Sequence, residues 1–89
     1  MIEDSVIDGL TAILEEEQAY LAAGRAGEAA ALMESKLAAL QVFEQAVRQA
    51  DLSAEPLHVR DAIRRVQQLA SENARFFEAI RNGLRSVIE

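Results

Sequence analysis

Residues 6–47 read VIDGLTAILEEEQAYLAAGRAGEAAALMESKLAALQVFEQAV, and the fold turns on this stretch. On one side of Gly24-Arg25-Ala26-Gly27 the apolar residues are Val6, Ile7, Leu10, Ile13, Leu14, Tyr20 and Leu21. On the other side they are Ala29, Leu32, Met33, Leu40, Phe43 and Val47. Steps of three and four mark the packed stripe of a helix, so the stretch predicts a helical hairpin bent at the glycines. Antiparallel partners share a nearly constant sum of residue numbers. Val6 with Val47, Leu10 with Phe43, Leu14 with Leu40 and Leu21 with Met33 all give 53 or 54. Glu17 with Lys36 gives 53 as well. The polar interruption of one stripe therefore falls opposite that of the other, as an acid facing a base. An ion pair buried at this level would set the register of the hairpin.

The 89 residues suit one domain. The composition is rich in Ala, Leu, Glu, Gln and Arg and holds one proline, which favours helix throughout. There is no cysteine, hence no disulfide, thiolate nucleophile or cysteine metal site. No apolar run reaches membrane-spanning length and the N-terminus is acidic, so a cytoplasmic location is expected. A net charge of −6 argues against nucleic acid as a partner. That charge is concentrated. Residues 1–22 carry six acids and no base, whereas 23–50 and 51–89 each balance.

The first helix is expected from a cap at Asp4 or Ser5 to about Ala23, with Gly24 as a left-handed terminator. The second is expected over Gly27 to Ala50. Ser53 should cap the third, with Glu55 and Pro56 in its first turn. In the third helix three apolar columns repeat by sevens, including Ile63, Ala70, Phe77 and Leu84 on one, Val59, Val66, Asn73, Ile80 and Val87 on the next, and Ala62, Leu69, Phe76 and Gly83 on the last. With no stop signal before Ile88, it should span about 50 Å, against about 30–35 Å for the arms of the hairpin. The expected architecture is all-α, a three-helix antiparallel bundle with a longer third helix. Folding back near Leu52 sets Lys36 beside Leu69 and Asn73 one turn from the Glu17–Lys36 level. Phe76 and Phe77 are expected in the core. Ile80, Leu84, Val87 and Ile88 project beyond the hairpin as an apolar stripe without a partner.

Ile13-Leu14, Glu17, Leu21, Gly24, Leu32, Lys36, Leu40 and Asn73 together resemble the pattern of FlgN-type flagellar export chaperones, over about two thirds of the chain. The resemblance implies a small cytoplasmic helical protein that holds hook–filament junction proteins before export through the flagellar type III apparatus. Family members bind their clients largely through the C-terminal region. Two departures stand out. Arg25 occupies a place where an acid often follows the turn glycine, and the chain is shorter than is typical.

The residues themselves leave other uses to weigh. The unpartnered stripe of Ile80, Leu84, Val87 and Ile88 would take a client helix in a helix-in-groove contact, or close a homodimer as a self-associating structural module. Glu17, Lys36 and Asn73 read as a polar seam that fixes register. Glu55-Pro56-Leu57-His58 is a Glu-x-x-His, but di-iron bundles need two such motifs and two further carboxylates. With a single histidine, no metal or other cofactor is expected. His58 is also the only residue on which a phosphotransfer domain could rest. Arg60, Arg64 and Arg65 read as solvated surface, with Asp61 paired to Arg65. No nucleophile–base constellation or phosphate loop is present, so a non-enzymatic protein is expected.

Overall fold

The structure is a computed structural model that describes residues 2–83. It is an all-α bundle without strands among those residues. Helix α1 spans Asp4–Ala22, the short α2 spans Ala26–Ala30, α3 spans Met33–Gln49 and α4 spans Leu57–Arg81. A single 3-10 turn, Leu52–Ala54, lies between α3 and α4. None of these helices is long and apolar enough to cross a membrane.

The hairpin forms as its stripes require. Gly24 takes φ +75°, a conformation that costs other residues, and the helix closes on it in a Schellman arrangement. The Arg25 N–H donates to the Tyr20 carbonyl at 2.8 Å and the Gly24 N–H to Leu21 at 3.1 Å. Gly24→Ala is expected to destabilise the protein by about 1–2 kcal/mol in urea melts, because alanine resists this backbone region. A loss within error would mean that the turn relaxes freely.

The second arm is not one helix. It breaks at Ala31-Leu32 between α2 and α3. Ala29 is fully buried at the start of the arm, and α2 packs against α1 on its own account. The first helix has Glu3 at its N-cap, with no side-chain cap bond from Asp4 or Ser5.

The third long helix departs most from expectation. Ser53 does not cap it: Asp51 caps the 3-10 turn, its carboxylate accepting from the Ser53 N–H at 3.2 Å and from the Ser53 hydroxyl at 2.6 Å, and α4 itself has no side-chain cap. The Ser53 hydroxyl is thereby spent, and α4 starts only after Pro56. It ends at Arg81 rather than Ile88. Gly83 has φ +82° and donates to the Ile80 carbonyl at 2.9 Å, the same left-handed stop seen at Gly24. Its 25 residues span about 37 Å, not 50 Å. Residues 50–56 use up chain without running along α3, so the register shifts. Lys36 lies 5.2 Å from the ring centroid of Phe77, two turns past the expected Leu69.

The core follows from these placements. Helix α1 packs against each of the other helices. Its buried Ile7, Leu10 and Leu14 meet Phe43 of α3 and Val59, Ile63, Val66 and Leu69 of α4. The buried set of α4 ends in Asn73 and steps by four, three, three and four, a single seam drawn from all three columns. Phe77 is half-buried, while Phe76 lies off that seam and is 37% exposed, which corrects its expected place in the core.

Glu55, expected in the first turn of the third helix, instead precedes α4 and is buried. It accepts from the Ile2 N–H at 2.7 Å, fastening the start of the chain to the base of α4. Glu55→Ala leaves that donor unpaired and is expected to cost about 1–3 kcal/mol, with faster exchange of the Ile2 amide. Unchanged exchange at Ile2 would remove this anchoring role.

Candidate functional site

The polar seam assembles as the spacing predicts, and more completely. Glu17 sits on the α1 face between Leu14 and Leu21, where helical spacing drives it inward, and it is 0% exposed. Lys36, one turn into α3, reaches it with Nζ 2.8 Å from Oε2 while its own side chain stays 14% exposed. The amine thus snorkels toward the edge, and this contact is a charge contact rather than an aligned hydrogen bond. Asn73 enters from α4 at 1% exposure. Its Nδ2 donates to Glu17 Oε1 at 2.9 Å and to the Leu14 carbonyl at 2.9 Å. With two acceptors before it, the amide orientation is set. Asn73 Oδ1 has no hydrogen-bond partner among the described residues.

One acid from α1, one base from α3 and one amide from α4 therefore meet at a single level. The ring of Phe77 covers the ammonium from a further position on α4. Spacing along the sequence placed the acid and the base opposite each other, but it put Asn73 only nearby and missed Phe77. Chemically the cluster can lock three helices in register. It offers no reacting group, since Glu17 is closed to solvent and engaged by Lys36 and Asn73.

The other expected site lies at the far end of α4. Ile80 is half-buried in the last turn of that helix. Leu84, Val87 and Ile88 lie outside the described residues. Nearby, Phe76 and Ala79 line a groove with Gln18, Glu72 and Arg75, where Gln18 donates to Glu72 at 3.2 Å. Met33 and Leu37 are exposed one turn apart on α3, at 38% and 53%.

The remaining candidates are dispersed. His58 is exposed in the first turn of α4. Asp61 pairs with Arg64 at 3.1 Å, three residues on, rather than with Arg65. No group of three histidine or carboxylate side chains suited to a metal occurs among the described residues. Comparison of the chain with protein-family models, with curated proteins and with solved structures gives no match.

Proposed function

We propose that this chain is a small helical chaperone or adaptor of the flagellar export type, working in the cytoplasm without catalysis. Its client would be an amphipathic helical segment of a hook–filament junction protein. One observation supports the reading above others: Glu17, Lys36 and Asn73, which carry the resemblance in the sequence, are joined in space as one buried cluster. The half-buried Ile80 and the exposed Phe76 supply apolar surface at the end of the molecule where such a client would dock. Calorimetric titration with purified junction proteins tests the proposal. Binding is expected with the parent chain and is expected to be lost in Leu84→Ser/Val87→Ser, whose circular dichroism should remain helical. Failure of every junction protein to bind would overturn it. If the double mutant unfolds, the stripe is ordinary core.

A second reading, a self-associating structural module, draws on Met33 and Leu37, which leave an apolar step exposed on α3. Sedimentation analysis separates the two. A dimer that persists when client is added, and that Leu37→Glu dissolves, favours the module.

A further inference from the structure

The hairpin carries an open groove on the flank turned away from α4. Gln18, which reaches α4, is nine residues from Gly9, or about 180° around α1 at 3.6 residues per turn. Val6, Gly9, Leu10 and Ile13 of α1 form one side, and Ala39 and Val42 of α3 the other, around about 300 Å³. Val6 joins it to a second hollow of about 340 Å³, bounded by Ile2, Glu3, Ala46 and Ala50. Together they follow α1 from Ile2 to Ile13, room for about three turns of a helix.

Two features of this groove are unexplained by the chain on its own. Val42 stands 55% exposed in its wall. Gly9 sits in the interior of α1, where glycine weakens a helix, yet a Cβ there would meet nothing within 4 Å. Neither packing nor backbone conformation within the chain demands it. A glycine on the rim of an apolar groove does let another helix approach the backbone closely.

Charge selects the occupant. Glu3 lines one end of the groove, and Glu16 lies two turns beyond Gly9 on the same face of α1, past the other end. Asp4, Asp8 and Glu15 are exposed elsewhere on α1, which has no base. On the α3 side the neutral Gln49 lines the groove, and Gln41 and Gln45 border the next hollow together with the mutually paired Glu44 and Arg48. A second copy docked here with its α1 against this one about a two-fold axis would set acids against acids. We propose that the groove binds an amphipathic helix of another protein, with an apolar ridge against Gly9 and Val42 and lysines or arginines on the edge that meets α1. This does not rest on the flagellar reading.

The test uses a synthetic helix of about 18 residues, long enough to form when docked. It carries a Leu/Ala ridge and Lys on one flank, and a control peptide replaces Lys with Glu. Both are titrated into the nitrogen-labelled full chain and followed by NMR. The Lys peptide is expected to shift the amides of Val6, Gly9, Ile13, Ala39 and Val42, more weakly as salt is raised, and the Glu peptide to leave them unmoved. Gly9→Leu should weaken binding by about tenfold, the loss expected when a central contact is blocked. Its thermal midpoint should hold or rise, since leucine is the better helix former. Shifts centred on α4, equal binding by both peptides, or full affinity in Gly9→Leu would overturn the proposal. So would a dimer in sedimentation that Val42→Glu converts to monomer, because the occupant would then be a second copy.

Discussion

Lys36→Met is expected to destabilise the protein by about 3–5 kcal/mol, because it strands the carboxylate of Glu17 in the core without its counter-charge. Glu17 is fully shielded, whereas Lys36 keeps a path to solvent at 14% exposure. The reverse change, Glu17→Leu, should therefore cost less. The freed ammonium can lift toward water, and Asn73 retains the Leu14 carbonyl as an acceptor. The double variant Glu17→Leu/Lys36→Met should recover most of the parent stability, since well-packed apolar side chains often replace a buried ion pair without loss. Urea melts of the four proteins give the coupling energy directly. Additive single changes would show that the contact at 2.8 Å contributes nothing of its own.

Leu69→Ala comes next, with an expected loss of about 2–5 kcal/mol. Leu69 is completely buried where α4 meets the core cluster, so truncation removes apolar burial and leaves a hole that close-packed neighbours fill only in part. A loss of that size is a large part of the total for a domain, about 5–15 kcal/mol. Leu37→Ala is the control. At 53% exposure it should change stability by about 0.5 kcal/mol or less. Equal thermal shifts for the two would contradict the docking of α4 on α1.

The hairpin and its ion pair were legible because they depend on local spacing. A constant residue sum holds whenever two helices flank a tight turn, and Gly24 supplies the turn. Legibility failed where competition among local groups decided the outcome. Ser53 looks like a cap until Asp51 claims its hydroxyl and N–H. Gly83 looks like a member of an apolar column, and only its φ of +82° reveals a stop. Ala31-Leu32 offers no breaker residue, so the end of α2 left no mark in the sequence. Three parallel columns could not say which residues α4 would bury. The seam crosses all of them and leaves Phe76 on its flank. Glu55 was hidden for another reason: its partner is a backbone N–H 53 residues away, and no side-chain pattern announces that.

Helices α1 and α4 run in the same direction, with Ile2 beside Glu55 at one end and Gln18 beside Glu72 further along. Two helix N-termini therefore point out of one end and two C-termini toward the other, with α3 opposing both. Each terminus carries about half an elementary charge, positive at the N-terminus and negative at the C-terminus. The end with two positive poles also gathers Glu3, Asp4, Asp51 and Glu55, while Arg25 and Arg81 follow or close the two negative ones. Side-chain charge thus offsets the backbone dipoles most fully at the end that gathers the acids, because Arg25 at the other is itself paired with Glu28 at 2.6 Å. Salt screens that balance at the exposed ends, but it has little hold on the enclosed carboxylate between them.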